Sequence, residues 1–192
     1  MRIGNQDVSV IPQNVWTSGV YTTGALTVGP EVTIFSAKLG DTGISLTDTN
    51  FKSASKVPYP QFFAYGVQAE ILGDGNVGKL PGLDMNAALH GLSLYIKHND
   101  VKIMFAMLHN VPAGNDVTGA IATGSGTTTT IAALNGVASM RNFYPFKKLE
   151  IINAADKIEG AIKTEAAWTV ATAFKVRITL LGFIAQAKGI GA

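Results

Sequence analysis

Apolar and polar residues alternate with a period of two through much of this chain. In the segment 174–185 the two faces separate cleanly, with Phe174, Val176, Ile178, Leu180 and Ile184 opposite Lys175, Arg177 and Thr179. A period of two is that of a β-strand and not of a helix. No 12-residue window carries a convincing helical stripe, and the best helix candidate is the short segment Leu83–His90.

Gly, Pro, Asn and Asp interrupt the apolar segments at short intervals and divide the chain into candidate strands. These are Val15–Thr22, Glu31–Leu39, Gln61–Leu72, Leu89–Lys97, Val101–Asn110, Thr127–Leu134, Phe146–Ile152, Ala161–Val170 and Phe174–Ala185. Eight or nine strands without intervening helices predict an all-β antiparallel sandwich or barrel of about eight strands. The polar segments Gly40–Asn50 and Pro112–Thr130 read as extended loops. No linker divides residues 1–192, so we expect a single domain.

The sequence predicts the pairing register of one hairpin. If Asn99-Asp100 is a two-residue turn, each residue before the turn pairs with the residue after it for which the two numbers sum to 199. This register places six apolar residues on one face, which we expect to be core: Leu92, Leu94 and Ile96 opposite Met107, Phe105 and Ile103. It also places Lys97 opposite Lys102, a mildly unfavourable pair.

Charged residues make up only 15% of the chain, whereas about 25% is typical of soluble domains. The 47% of hydrophobic residues excludes disorder, and every apolar run is too short for a transmembrane helix. A surface with so few charges indicates an oligomer. The net charge of +2, without a basic arm, predicts no direct, sequence-specific binding of nucleic acid.

Other classes of protein receive no support from the sequence. The absence of cysteine excludes a disulfide scaffold, a thiolate zinc site and a cysteine nucleophile. The first five residues contain no apolar stretch of signal-peptide length, and no Asn-x-Ser/Thr glycosylation site occurs.

The segment Gly73–Lys79 matches the pattern Gly-x-Gly-x-x-Gly and approaches a phosphate-binding loop. Leu80 follows it where a phosphate loop has Ser or Thr, and no long helix is predicted after it. We therefore interpret it as a surface turn between strands.

The triplet Asp41-Thr42-Gly43 matches the signature of aspartic proteases, which need two such carboxylates. A single copy would require a homodimer, and the residues before Asp41 do not fit that family. An ordinary turn is the favoured interpretation.

The three histidines are His90, His98 and His109. The hairpin register places His90 opposite His109, which could seed a two-imidazole metal site. A zinc site needs three or four ligands, and no Asp or Glu lies on either flanking strand. We therefore expect a cross-strand histidine pair, with His98 beside the turn and no metal.

The sequence contains no motif of a catalytic nucleophile and no clear binding platform. No Gly-x-Ser-x-Gly motif occurs. Six clustered aromatic residues lack interleaved basic residues, so we expect sheet core or interface rather than a stacking platform: Phe62, Phe63, Tyr65, Phe143, Tyr144 and Phe146. The prediction is a protein that is not an enzyme, with no catalytic residues, no cofactor and no metal ligands.

An all-β chain of this length, with long polar loops, scarce charge and no cysteine, resembles the single jelly-roll capsid proteins of tailless icosahedral viruses, especially bacteriophages with an internal membrane. The resemblance covers the whole chain in architecture and composition, without a shared motif. It implies a jelly roll and a self-assembling structural protein that is made in the host cytoplasm and located in the virion. The partners implied are further copies, other capsid proteins and, in a membrane-lined shell, the membrane.

The sequence is also consistent with two other kinds of β-sandwich protein. A phage head-decoration or tail-associated β-sandwich predicts a similar composition but a small closed oligomer. A carbohydrate-binding β-sandwich predicts a soluble monomer with an exposed aromatic platform.

Overall fold

The computed structural model of the chain describes residues 2–3, 6–46, 48–73, 82–112, 118–124, 128–134 and 143–187. Within them the chain forms antiparallel strands, one α-helix and one 3-10 turn at Leu108–Asn110. The helix, α1, spans Gly82–Gly91. The strands are β1 (Arg2–Ile3), β2 (Gln6–Tyr21), β3 (Gly24–Leu26), β4 (Glu31–Ile34), β5 (Gln61–Gly73), β6 (Leu92–His98), β7 (Val101–Met107), β8 (Thr118–Gly124), β9 (Thr128–Leu134), β10 (Tyr144–Asn153), β11 (Ile158–Thr164), β12 (Trp168–Val170) and β13 (Phe174–Ala187).

Two antiparallel sheets pack into the all-β sandwich that the sequence predicts. The larger sheet has the strand order β1-β2-β13-β5-β10, and the smaller sheet has the order β4-β11-β6-β7. Two short ribbons, β3 with β12 and β8 with β9, lie outside these sheets. No helix among the described residues is long and apolar enough to cross a membrane.

The strand pairing follows one rule. Apart from the two-residue β1, the two sheets contain eight strands. Counted in chain order, the first pairs with the eighth (β2 with β13), the second with the seventh (β4 with β11), the third with the sixth (β5 with β10) and the fourth with the fifth (β6 with β7). The chain is therefore arranged as one long antiparallel ribbon that is folded over into two layers.

One apolar core fills the space between the sheets. The alternation predicted for β13 is confirmed: the apolar residues Phe174, Val176, Ile178 and Leu180 are buried, and the polar residues between them are partly exposed. Four phenylalanines contribute the largest fully buried side chains: Phe35, Phe51, Phe62 and Phe174. Removing this apolar surface from water supplies the main favourable term in folding.

The free edge of β2 is covered by the chain itself. The side-chain amide of Asn50 accepts a hydrogen bond from the Trp16 N–H at 2.9 Å and donates one to the Asn14 carbonyl at 2.9 Å. Thr49 adds a hydroxyl donor to the Trp16 carbonyl at 3.1 Å. These groups satisfy the strand edge as a neighbouring strand would. On the opposite side of the sandwich, β7 and β10 are edge strands with one neighbour each in the described sheets.

Most predicted strands are confirmed, with shifted ends, and the helix candidate is found as α1. Two predictions about segments are wrong. The single strand expected over 161–170 is two, β11 and β12, separated at residues 165–167. There the main chain turns aside, and the N–H groups of Glu165 and Ala166 both donate to the Gly91 carbonyl. The loop expected over 112–130 contains β8, whose small residues and glycines gave no strand signal.

The hairpin prediction is correct at the turn and wrong beyond it. Asn99 and Asp100 both have positive φ, at 47° and 67°, as a two-residue hairpin turn requires. Lys97 pairs with Lys102 as predicted, but a bulge at Ile103 then shifts the register by one residue.

The bulge reverses the two faces of β7. Phe105 is 55% exposed, whereas Met104 and Ala106 are buried. The prediction that these residues belong to the core is therefore confirmed for Leu92, Leu94 and Ile96 and wrong for Phe105. Ile103 and Met107 are only partly buried. Because both faces of β7 are apolar, the sequence pattern could not choose between the two registers.

The bulged register makes a testable distinction within this hairpin. Leu94→Ala should lower the free energy of unfolding by about 2–5 kcal/mol, because it removes a fully buried side chain. Phe105→Ala should lower it by less than about 1 kcal/mol, because only surface contacts are lost. Denaturant unfolding of the two variants measures both values. A larger loss for Phe105→Ala than for Leu94→Ala would contradict this register.

Candidate functional site

A cleft opens between the two edge strands β7 and β10. Its volume is about 660 Å³, and residues of both sheets and of the β6–β7 turn form its walls: His98, Asn99, Val101, Lys102, Ile103, Lys147, Lys148 and Glu150. Small-molecule sites have volumes of about 300–1,000 Å³. The size and the concentration of polar side chains make this cleft the candidate functional site of the described residues.

An irregularity in β10 shapes one wall of the cleft. The strand follows β5 as far as Pro145 and again from Glu150, so residues 146–149 leave the regular ladder. Phe146 is buried, whereas residues 147–149 are exposed. Bulges at sheet edges change the direction of side chains, and this one presents two consecutive lysines at the cleft.

The β6–β7 turn forms the end of the cleft and is fixed by the β10–β11 turn. The Asn99 side chain donates to the Asp156 carboxylate at 3.0 Å and accepts from the Lys157 N–H at 2.8 Å. The N–H of Asn99 also donates to the Lys157 carbonyl at 2.9 Å. Asp156 in turn accepts from the Asn153 N–H at 2.7 Å. These bonds hold the two turns together as one unit.

His98 lies between two carboxylates. Its Nδ1 is 3.4 Å from Glu150 Oε2, and its Nε2 is 3.2 Å from Asp156 Oδ2. Each ring nitrogen of His98 therefore lies close to the oxygen of a different carboxylate. Since the carboxylates lie on opposite sides of the ring, His98 joins β6 to β10 and to the β10–β11 turn.

This arrangement differs from a metal site. The ring nitrogens of His98 face separate carboxylates and do not converge with them on one point. Across the described part of the chain, no group of three or more His, Asp or Glu side chains is placed to hold a metal ion.

The lysines give the cleft its electrostatic character. Lys102, Lys147 and Lys148 line it together with one carboxylate, that of Glu150. Glu150 is only 6% exposed, and its two oxygens already face His98 and the Lys148 ammonium, the latter at 3.7 Å. The walls therefore carry an excess of positive charge.

Aromatic rings lie beside this charge on the outer surface of the smaller sheet. The Lys102 ammonium is 5.2 Å from the centroids of both Tyr95 and Phe105, and the Lys97 ammonium is 5.5 Å from that of Tyr95. Cation–π attraction of this kind offsets the repulsion between the paired lysines.

This cluster was not predicted from the sequence, because the chain has neither a basic arm nor a long basic stretch. One signal was available: Lys147-Lys148 is the only pair of adjacent Lys or Arg residues in the chain. Its approach to Lys102 depends on the two edge strands lying on the same side of the sandwich.

The structure brings His90 and His109 together, although the hairpin register from which this pair was predicted is wrong beyond the turn. Their ring centroids are 5.1 Å apart with a tilt of 32°. His90 belongs to the last turn of α1 and His109 to the 3-10 turn, so the pair is not formed by two strands. Both side chains are exposed.

The two sequence motifs have different outcomes. Asp41 lies in a turn, where its carboxylate accepts the Lys38 N–H at 3.1 Å and the flanking Gly40 and Gly43 have positive φ. This is the ordinary turn that the sequence favoured. Gly73 ends β5, and residues 74–79 of the glycine-rich motif lie outside the described residues.

The aromatic cluster is largely internal. Phe62 and Phe146 belong to the core, and Tyr144 packs against it. Phe63 is 5% exposed and stacks on Phe183 with centroids 5.0 Å apart. Tyr65 is more exposed and contacts Phe143 edge-on. This placement agrees with the expected role of these residues in sheet packing.

Comparison of the chain with protein-family models, with curated proteins and with solved structures finds no match. The function must therefore be inferred from the strand topology, the exposed side chains of β7 and the charged cleft.

Asp156 supplies a pH-dependent prediction. Hydrogen bonds from the Asn99 side chain and the Asn153 N–H hold the pKa of Asp156 well below its ordinary value of 3.8. A carboxyl whose pKa is lowered by folding stabilises the protein above its unfolded pKa, and this contribution disappears as the pH falls through the folded pKa. Asp156→Asn should therefore destabilise the protein at neutral pH and progressively less below pH 3.8.

Urea unfolding of wild type and Asp156→Asn between pH 7 and about pH 2 tests this expectation. A difference in unfolding free energy that is unchanged over this range would contradict the role of the ionised carboxylate.

Proposed function

We propose that this chain is a structural protein that self-assembles, a jelly-roll capsid subunit of an icosahedral bacteriophage, and that it does not act as an enzyme. The observation that carries the proposal is the strand pairing, first with eighth, second with seventh, third with sixth and fourth with fifth. A jelly roll is an eight-stranded double-sheet antiparallel fold, and an antiparallel ribbon folded over on itself produces this pairing.

The unequal edges of the sandwich support self-association. Asn50 and Thr49 cover the edge of β2, whereas β7 has one neighbouring strand in the described part of the chain and carries exposed apolar side chains. Val101 is 67% exposed and Phe105 is 55% exposed. An edge of this kind is a template for pairing with another chain, so we place a subunit contact along β7.

The low charge density supports the same proposal. With 15 basic and 13 acidic residues the net charge is only +2, and repulsion between exposed charges is screened within about 8 Å at physiological salt. Subunit contacts formed by apolar groups and main-chain hydrogen bonds should therefore persist or strengthen as salt rises. Contacts that depended on nucleic acid would weaken steeply instead.

The aromatic residues give the alternative of a carbohydrate-binding module little support. Such a module would present several aromatic rings on one exposed surface. Of the clustered residues, Phe62, Phe63 and Phe146 are buried, and the outer rings of Tyr95 and Phe105 both contact the Lys102 ammonium. The proposal of a shell subunit therefore uses more of the observed features.

Sedimentation velocity and electron microscopy from low salt to about 1 M NaCl, with and without nucleic acid, test the assembly. We expect a large defined particle that needs no nucleic acid and survives high salt. A stable monomer throughout, or a particle that forms only with nucleic acid and dissociates at high salt, would overturn the proposal.

Two matched variants test the position of the contact. Phe105→Lys places a charge on the exposed face of β7 and should shift the population toward free subunits. Val28→Lys changes a residue that is 59% exposed in the turn between β3 and β4, and it should leave assembly closer to wild type. If the two substitutions changed assembly equally, β7 would not be part of the subunit contact.

A further inference from the structure

We propose that the cleft between β7 and β10 binds the phosphate group of a phosphate monoester, whose organic part lies against the apolar wall. The cavity lies within one subunit, so ligand binding by the free subunit can be measured independently of shell assembly.

The charge balance of the cleft selects an anion. Three of the chain's 15 basic residues line it, together with one of the 13 acidic residues. That acid, Glu150, is nearly buried and faces His98 and Lys148. An anion that enters the cleft therefore meets lysine side chains from two strands and one carboxylate that already has partners.

The cations of the cleft are of a kind that binds phosphate. All the basic side chains that line the cleft, besides His98, are lysines. Lysine ammonium groups act as mobile point charges and are common phosphate ligands. A phosphate dianion offers several oxygens, so it can be shared between Lys147 and Lys148 on β10 and, once its ammonium leaves the rings of Tyr95 and Phe105, Lys102 on β7.

The remaining walls favour an ester over the free ion. Val101 and Ile103 add apolar surface, and the Asn99 side chain lies at the end of the cleft. A volume of about 660 Å³ is much larger than one phosphate group needs, and ligand sites of this size combine apolar walls with a few polar groups. An organic substituent would fill the space that an inorganic phosphate ion leaves.

The walls are fixed before any ligand arrives. Asn99 is held by Asp156 and Lys157, and Glu150 is held by His98. A ligand therefore has only the exposed side chains of Lys102, Lys147 and Lys148 to order, which limits the entropic cost of binding.

Isothermal titration calorimetry of the full chain with phenyl phosphate tests the proposal, with phenol and inorganic phosphate as reference ligands. Saturable binding of phenyl phosphate, weaker binding of inorganic phosphate and no binding of phenol are expected. The double variant Lys147→Ala/Lys148→Ala should weaken binding by about tenfold or more, because two charged contacts are lost. Both side chains are exposed, and the Glu150 carboxylate keeps its contact with His98, so the fold should be retained.

The double variant Lys52→Ala/Lys56→Ala is the matched control. It removes the same charge from exposed positions that do not line the cleft, and it should change the affinity by less than about twofold. An equal loss in both double variants would indicate non-specific attraction and overturn the site.

A second experiment distinguishes a lipid headgroup from a soluble phosphate ester as the ligand. Co-sedimentation with vesicles that contain phosphatidic acid is compared with vesicles of phosphatidylcholine alone. Binding to the acidic vesicles without binding of phenyl phosphate, abolished in Lys147→Ala/Lys148→Ala, would assign the site to a lipid headgroup. Binding of phenyl phosphate, abolished in the same variant, would assign it to a soluble ester. Absence of both kinds of binding would overturn the proposal.

Discussion

Strand β13 forms main-chain ladders on both of its sides, and the sandwich depends on this double pairing. It pairs with β2 from Phe174 to Ala187 and with β5 from Phe174 to Phe183. Its inner face also contributes several fully buried side chains to the core. Since both of its neighbours come from much earlier in the chain, β13 joins the two halves of the larger sheet and, through its apolar face, holds the smaller sheet against it.

Much of this fold follows from the sequence because the informative strands have one apolar and one polar face. In β13, Lys175 and Arg177 fix the outer face, so the register and the buried set are determined. Strand β7 lacks such a constraint, since apolar residues occupy both faces. A single bulge at Ile103 then decides whether Phe105 or Ala106 faces the core, and no local pattern contains that information.

The candidate site was less predictable than the fold, for a different physical reason. Lys102 and Lys147 are far apart in the chain and line one cleft because β7 and β10 end their sheets on the same side. The connection between His98, Glu150 and Asp156 also depends on three separate elements meeting. Sequence reasoning placed His98 beside a turn, but the strand order supplies its partners. By contrast, the pairing of His90 with His109 could be anticipated, because both lie beside the ends of one hairpin.

The position of β13 has a consequence for how the chain folds during synthesis. Until residues 174–187 leave the ribosome, β2 and β5 have no strand between them, and the inner face of the larger sheet is incomplete. Strand β2 therefore cannot form its long ladder with β13 until synthesis is almost complete. Until then the apolar side chains of β2 and β5 that face the core are exposed to water. Folding dominated by such distant pairings is slow and open to aggregation. Covering the edge of β2 with Asn50, which is translated early, protects one of the surfaces that would otherwise be exposed during that interval.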